Sequence, residues 1–240
     1  MKALAVNASP RMEKGNTALI LGPFLKGVEE GGAEVELYYT RRLTVNPCLG
    51  CFNCWLRTPG ECVQKDDMEW LKPKMREADI RIYASPVYCY GITGQLKNLI
   101  DRMVSLASPF VEVHEGHTRH LPGEGEKPHK VVLVSNCGLW DMENFDLLVA
   151  QMKAMCQDPP AEYGGALLRP HGEALRAMRK SGAPVEDVFE AAHQAGLQLV
   201  QDGKITEDTL QTVSRELLPR DTYVEMINRE FKAAMERTRK

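Results

Sequence analysis

The sequence predicts a three-layer α/β sandwich in which helices cover both faces of a five-stranded parallel sheet. Along the first 200 residues, short apolar runs alternate with segments of helical periodicity. Strands that alternate with helices pair in parallel through right-handed crossovers. With 240 residues, of which 43% are hydrophobic, the chain can bury a substantial core.

The expected strands are short apolar runs that cover 3–6, 34–39, 79–84, 130–135 and 162–168. Helices are expected between them, the first ending at Gly31 and the others covering 67–77, 93–106, 144–156 and 185–201. A long loop is expected over 108–129. We assign 1–203 to one domain and 204–240 to a C-terminal extension with helices over 207–217 and 222–237.

Charge and hydropathy exclude several classes of protein. The net charge of −3 and the pI near 6.1 favour neither nucleic acid nor an anionic membrane as partner. No apolar run approaches the roughly 20 residues needed to span a bilayer, and the chain enters a strand without a signal-peptide segment. We therefore expect a soluble cytoplasmic protein, in which clustered cysteines indicate metal or redox chemistry.

The stretch 2–17 joins a buried strand to a helix through a polar loop, which predicts an anion site. The amides and dipole of a helix N-terminus favour phosphate. The loop adds side-chain donors from Ser9, Arg11, Asn16 and Thr17, and Gly15 lets the backbone approach closely. Because neither a P-loop nor a Gly-x-Gly-x-x-Gly pattern is present, a mononucleotide phosphate fits best. An ordinary capped loop is the alternative.

Three loops are expected to meet beyond the carboxyl ends of the strands, where open α/β sheets bind ligands. They cover 9–17, 85–93 and 135–140 and follow the first, third and fourth strands. The sequence therefore predicts one composite site at this edge of the sheet.

Several motifs occur in a fixed order in these loops and the helix that follows. They are Ala8-Ser9-Pro10-Arg11 with Gly15-Asn16-Thr17, then Ser85-Pro86-Val87-Tyr88, Leu96-Lys97 and Asp101-Arg102. Over roughly 1–200, this arrangement resembles the flavodoxin-like NAD(P)H-dependent FMN reductase family. The resemblance implies a flavodoxin-like fold and bound FMN.

The resemblance also implies which residues bind FMN. The phosphate would be held by Ser9, Arg11, Asn16 and Thr17, with Gly15 between them, and the isoalloxazine ring would lie against Pro86, Val87, Tyr88 and Gly91. Asn136, Cys137 and Gly138 would form a third wall. Amides of the 85–93 loop would bond to the flavin and tune its potential. Lys97, Asp101 and Arg102 are better interpreted as surface or structural ion-pair residues.

Four cysteines within the 46–65 loop form the second signal: Cys48, Cys51, Cys54 and Cys62. A Cys-x2-Cys-x2-Cys run with a fourth cysteine after a spacer can supply four thiolates to an iron–sulfur cluster. The spacing differs from the bacterial ferredoxin run and resembles the compact motif of iron–sulfur flavoproteins, a branch of the same FMN family. That resemblance implies a [4Fe–4S] cluster near FMN.

Two alternatives remain open for these thiols. The first is a zinc site of four cysteines, although such sites usually separate two Cys-x2-Cys pairs by a longer insert. The second is a set of structural or redox thiols, because relatives without a cluster also keep cysteines in this loop.

His114, His117 and His120 share a three-residue spacing, but a solvated loop explains them better than a metal site.

The function implied is an FMN-dependent oxidoreductase or electron-transfer flavoprotein whose chemistry is centred on the flavin, with no catalytic side chain. Donors would be NAD(P)H or a ferredoxin-like protein, the acceptor a small molecule, and the assembly a homodimer or homotetramer. A cluster-free NAD(P)H-dependent FMN or quinone reductase is the alternative. A non-enzymatic electron carrier is the other class that remains open.

Overall fold

A computed structural model describes residues 1–157 and 159–238, so 239 and 240, the end of the predicted C-terminal extension, lie outside it. The described residues form seven strands: β1 (Lys2–Asn7), β2 (Glu34–Tyr39), β3 (Ile80–Pro86), β4 (Ala107–His114), β5 (His117–Pro122), β6 (His129–Asn136) and β7 (Ala161–Arg169).

Nine α-helices lie in the same described residues. They are α1 (Asn16–Glu30), α2 (Asn53–Leu56), α3 (Met68–Glu77), α4 (Gly94–Arg102), α5 (Asp146–Met155), α6 (Gly172–Ser181), α7 (Glu186–Gln201), α8 (Glu207–Ser214) and α9 (Arg220–Thr238). None of them is both long and apolar enough to be a bilayer-crossing segment.

Five strands form the central parallel sheet in the order β2-β1-β3-β6-β7. The predicted fold class is therefore confirmed, with every predicted strand within two residues of its observed bounds. β3 is buried along its whole length, and apolar residues cover both faces of the sheet as two separate core clusters. Helices on both sides exclude water from the sheet, which is typical of parallel sheets.

The predicted loop over 108–129 is wrong, because β4 and β5 form an antiparallel hairpin there. Its two-residue turn consists of Glu115 and Gly116, both with positive φ, which matches the twist of a hairpin. His114 pairs with His117 across the turn. Because strand side chains alternate in direction, His120 points to the opposite face from His117. The three histidines therefore do not converge.

Two helices of the structure were not predicted. The short α2 lies inside the cysteine loop, and α6 follows β7 directly. Gly172 and Leu175 of α6 are buried three residues apart, a helical spacing that is too short a pattern to stand out in the sequence. Pro23 and Pro73 lie inside α1 and α3, which continue through them.

Helices α1 and α7 approach so closely that two glycines lie in their contact. A Cβ on Gly27 would lie 1.9 Å from the His193 carbonyl oxygen, and one on Gly196 would lie 2.2 Å from the Phe24 carbonyl oxygen. In both places backbone packs on backbone, which leaves no room for a side chain. These two glycines therefore set the distance between the helices.

A buried arginine anchors the C-terminal extension to the sheet. Arg169, at the end of β7, is fully buried and donates to the carbonyl oxygens of Val213 (2.6 Å), Ser214 (3.2 Å) and Arg215 (2.6 Å). Burial lowers its pKa to about 9. Carbonyl oxygens that would be unsatisfied after the last turn of α8 thus receive charged donors.

His171 lies beside this arginine and is also fully buried. Its Nε2 accepts from the Leu217 amide (3.0 Å), and its ring stacks on Trp140 with a centroid distance of 6.1 Å. Tyr223 of α9 donates to the Gly138 carbonyl oxygen (2.5 Å). The extension is therefore fastened to the 135–140 loop of the same chain.

Gly27→Ala should destabilise the protein by about 3 kcal/mol or more, because the new methyl group would overlap the backbone of α7. Urea unfolding measures the change. Gly22→Ala, in the same helix with open space around it, should instead raise the free energy of unfolding by about 0.5–1 kcal/mol. A Gly27→Ala variant with an unchanged free energy of unfolding would contradict the close approach of α1 and α7.

Stability should fall as the pH drops from about 6.5 towards 4. Burial, and then the neighbouring Arg169, lower the pKa of His171 to about 4. Between the two pKa values the imidazole is protonated in the unfolded chain and neutral in the folded chain. The contribution of His171 to the free energy of unfolding is thus fully present above the pKa that this histidine has in the unfolded chain. It is lost progressively at lower pH, by up to about 3 kcal/mol. Urea unfolding at pH 7 and pH 5 tests this.

In that experiment His171→Asn should reduce the difference between the two pH values, while His117→Asn, at the exposed hairpin, should leave it unchanged. Asn suits the left-handed backbone at position 171, where φ is 40°. An unaltered pH dependence in His171→Asn would assign the effect to other groups.

Candidate functional site

The three loops predicted to meet do so at the carboxyl edge of the sheet. The Thr93 hydroxyl donates to the Ala8 carbonyl oxygen (3.2 Å), which joins the second loop to the first. The Thr17 hydroxyl donates to Asn136 Oδ1 (2.5 Å), and the Val87 amide donates to the Asn136 carbonyl oxygen (2.9 Å). Asn136 therefore connects all three loops.

The first loop passes directly from β1 into α1, as the sequence predicts. Gly15 is buried against Ser9, and a Cβ there would lie 2.4 Å from the Ser9 hydroxyl oxygen. The side chains of Asn16 and Thr17 are buried and bonded to Arg176 and Asn136. What these two residues offer to an anion is therefore their backbone amides, which have no partner within the first turn of the helix.

Two arginines bring positive charge to this loop. Arg11 is about half exposed and pairs with Glu173 of α6 (3.0 Å). Arg176, also from α6, donates to Asn16 Oδ1 (2.6 Å) and to the Lys14 carbonyl oxygen (2.8 Å). Arg176 was missed because it lies 160 residues from Asn16 in the chain and belongs to a helix that was not predicted.

The second loop makes a tight turn after β3. The amides of Tyr88 and Gly91 donate to each other's carbonyl oxygens (2.9 and 3.0 Å). Cys89 and Tyr90 form the tip, and both have positive φ. Left-handed backbone at two consecutive non-glycine residues stores strain of the kind that accumulates at ligand sites. Within the described residues, the amides of this tip have no hydrogen-bond acceptor.

Hydrogen bonds hold the third loop, 135–140, in place. The Cys137 thiol is buried and accepts from the Leu139 amide (3.2 Å), and burial raises its pKa. Gly138 is exposed, with open space where a side chain would lie. Trp140 donates to the Leu218 carbonyl oxygen (3.0 Å), which fixes the loop to the C-terminal extension.

The four cysteines of the 46–65 loop line one cavity of about 450 Å³. They are Cys48, Cys51, Cys54 and Cys62. Cys54 is buried, Cys62 is half-buried and the other two are exposed. The opposite wall consists of residues around the end of α4, including Ile100, Arg102 and Val104. The structure thus brings together all four thiols that the spacing predicts as ligands.

A buried ion pair closes the neck of this loop. Arg102 donates to both carboxylate oxygens of Asp66 (2.6 and 3.0 Å), and the two side chains are almost completely buried. Arg102 also donates to the Asn46 carbonyl oxygen (2.9 Å), while Asp66 accepts from the Asn46 amide (3.0 Å). The first and last parts of the cysteine loop are therefore held against the end of α4.

Cys54, the buried thiol, lies near other titratable groups. Burial, and then the nearby Cys62 and Cys48, raise the pKa of Cys54. Lys72 of α3 is also buried, and among the described residues its ammonium group donates to two acceptors, both neutral: the Gly60 carbonyl oxygen (3.1 Å) and the Ser105 hydroxyl (3.0 Å). Burial lowers the pKa of Lys72, while Cys62 opposes that shift.

Arg102 carries an unpaired donor at the same place. Its Nε is buried with no acceptor among the described residues. A buried N–H without an acceptor costs free energy, which an acceptor on a bound group would recover. Four thiolates and their cluster sulfides are acceptors of this kind, so the donor set and its surroundings fit an iron–sulfur group.

The thiols are not gathered as they would be around one ion. Within residues 1–157 and 159–238, no group of three or more His, Cys, Asp or Glu side chains is placed to hold a single metal ion. His120 instead lies against the Trp55 ring at 5.0 Å between ring centroids.

Comparison with known proteins agrees with this geometry. A sequence profile described as NADPH-dependent FMN reductase matches residues 1–123. An iron–sulfur flavoprotein of Methanocaldococcus jannaschii is 33% identical over 165 residues, which are 69% of this chain and 81% of that protein. One of Archaeoglobus fulgidus is 44% identical over 104 residues, which are 43% of this chain and 46% of that protein. The chain thus spans less than half the length of the Archaeoglobus relative.

Solved structures share the fold at low identity. An azoreductase of Bacillus anthracis aligns with a TM-score of 0.58 and 14% identity, over 84% of this chain and 99% of that one. An NAD(P)H:quinone oxidoreductase of Methanothermobacter marburgensis aligns with a TM-score of 0.56 and 14% identity, over 83% and 96%. These alignments show the flavodoxin-like fold alone. The sequence matches show that the chain belongs to the NADPH-dependent FMN reductase family, in its iron–sulfur flavoprotein branch.

Proposed function

We propose that this chain is an FMN-dependent oxidoreductase that passes electrons between FMN and a [4Fe–4S] cluster. The observation that supports it is the position of α4 between the two candidate sites. The helix begins directly after the 85–93 loop, and its last turn lines the four-thiol cavity. Nine helical residues span only about 13 Å. The two groups would therefore lie close enough for direct electron transfer.

The FMN site in this proposal uses the three loops at the sheet edge. The amides of Asn16 and Thr17, together with Ser9 and Arg11, would hold the phosphate, with Gly15 allowing the close approach. One wall for the ring would consist of Pro86, Val87, Tyr88 and Gly91. The other would consist of Asn136, Cys137 and Gly138.

The cluster would be held by Cys48, Cys51, Cys54 and Cys62. The name of the relatives, iron–sulfur flavoprotein, supports this choice. When bound, FMN supplies both hydride and single-electron chemistry, and a [4Fe–4S] cluster supplies single-electron chemistry. The residues of this chain would bind and orient the two groups and shield them from solvent. The scheme requires no side chain as general base.

Partners follow from the same chemistry. NAD(P)H or a ferredoxin-like protein would donate electrons, and a small molecule would accept them. We place the protein in a reducing cytoplasm, where thiols remain available as ligands. We further propose a homodimer or homotetramer, and a division of the chain into a flavin-binding domain over 1–203 and an extension over 204–240.

Anaerobically purified protein should contain FMN and about four irons per chain, the number in one [4Fe–4S] cluster. Visible absorption with iron, sulfide and flavin analysis measures this. Cys54→Ala should lose the iron and keep FMN, because it removes a proposed cluster ligand and leaves all three flavin loops unchanged. Flavin without iron in the unmodified protein would instead support the cluster-free reductase.

Cys156→Ala is the matched control for the ligand assignment. Cys156 lies after α5, outside the 46–65 loop, and burial raises its pKa to about 11. Its replacement should leave iron and flavin unchanged. Full iron retention in Cys54→Ala would contradict the role of that thiol.

Opposite changes in FMN affinity are expected from the two members of the Arg11–Glu173 pair. Arg11→Gln should weaken binding about tenfold or more, because a charged bond to phosphate is lost. Glu173→Gln should tighten binding by up to about fivefold, because an exposed pair that competes with the phosphate is worth at most about 1 kcal/mol. Fluorescence titration of apoprotein with FMN measures both.

Arg179→Gln serves as the control for this titration. Arg179 lies on α6 one turn beyond Arg176, over the ring of Phe189 rather than at the phosphate loop. It should bind FMN as the unmodified protein does. Equal affinities in Arg11→Gln and Arg179→Gln would remove Arg11 from the phosphate site.

A further inference from the structure

We propose that Lys72 compensates the negative charge of the four-cysteine site. The inference rests on the proposed cluster, and it assigns a role to a residue that is not a ligand. Its basis is a buried cation near Cys62 that has no carboxylate partner among residues 1–157 and 159–238.

The first observation is the isolation of the Lys72 charge. Lys72 is 7% exposed, and both of its acceptors are neutral. A buried ammonium group without a counter-ion is unfavourable, and buried lysines are almost always paired. The other basic groups near this place have acidic partners: Arg102 pairs with Asp66, Arg76 with Glu126 and Lys65 with Glu69. Among the described residues, Lys72 therefore has no carboxylate within ion-pair distance of its ammonium group.

The second observation is how close that charge is to the thiols. Lys72, Cys62 and Arg102 line one cavity of about 330 Å³, and Cys62 and Arg102 also line the four-thiol cavity. Gln64 also lines both cavities, so Lys72 lies in a cavity that adjoins the candidate cluster site. The Gly60 carbonyl oxygen that it binds lies two residues before Cys62.

Four thiolates give the site a net negative charge that a fixed cation stabilises. Adding one electron makes the site more negative by one unit, so a nearby buried cation favours the reduced form. Net charge and hydrogen bonds to sulfur are among the factors that set the potential of such clusters. Removing the Lys72 charge should therefore lower the reduction potential and weaken cluster retention.

The test compares Lys72→Met and Lys72→Gln, which remove the charge, with Lys72→Arg, which keeps it. Each protein is purified anaerobically, assayed for iron, sulfide and FMN, and titrated with dithionite at controlled potential. The two neutral variants should shift the reduction equilibrium of the cluster at least tenfold, which is about 59 mV lower for one electron. Lys72→Arg should remain close to the unmodified protein.

Lys74→Met is the matched control, because Lys74 lies on α3 with Lys72 but pairs with Glu36 (2.7 Å) and lines neither of the two cavities. It should leave potential and iron content unchanged. Loss of iron from both neutral variants but not from Lys72→Arg would also support the role of charge. Full iron with an unchanged reduction potential in Lys72→Met would overturn the proposed role of the Lys72 charge. Loss of iron from Lys72→Arg equal to that from the neutral variants would also overturn it, because the role of Lys72 would then be packing and not charge.

The two proposals fail in different ways. Unmodified protein that binds FMN but no iron would overturn the cluster proposal and this inference with it. Unmodified protein with a full cluster, together with neutral variants that are unaltered, would overturn the role of Lys72 alone.

Discussion

The buried pair between Arg102 and Asp66 is the interaction on which the arrangement of the two candidate sites depends. It holds the neck of the cysteine loop, at Asn46 and Asp66, against the end of α4. Breaking a buried pair by removing one member typically costs 3–5 kcal/mol, because the remaining charge is left without a partner. The neck of the loop is therefore attached firmly to the end of α4, and the four thiols face the helix that follows the 85–93 loop.

The same attachment explains why a surface loop can keep a defined shape. Between Asn46 and Asp66 regular structure is limited to the single turn of α2, so few backbone hydrogen bonds hold the loop. Trp55 compensates from within, since its indole donates to the carbonyl oxygens of Val104 (3.2 Å) and Ala107 (2.8 Å). The loop is thus fixed at its neck by charge and in its middle by an aromatic anchor, and both contacts lead to α4 and the segment after it.

Sequence patterns predicted the parts of the molecule that local chemistry determines. The strands of the central sheet are apolar runs with clear ends, and the cysteine spacing predicted which thiols share a cavity. The hairpin of β4 and β5 was missed because both strands are exposed and lack the apolar alternation of a half-buried strand. Arg176 and Lys72 were missed for a different reason. Their roles depend on contacts between distant segments, and a single arginine or lysine in a helix carries no local signal.

The charges around the cysteine site are understandable as parts of a site completed by its ligand. Among the described residues, a buried lysine without a counter-ion and an arginine donor without an acceptor both disfavour the empty fold. A negatively charged group bound by thiolates would reverse each of these costs at once. Since binding to the folded state adds directly to stability, such a site couples ligand binding to folding. The cysteine loop would then be the segment whose local stability depends most on the cluster, while the parallel sheet, whose core is apolar, would stay folded without it.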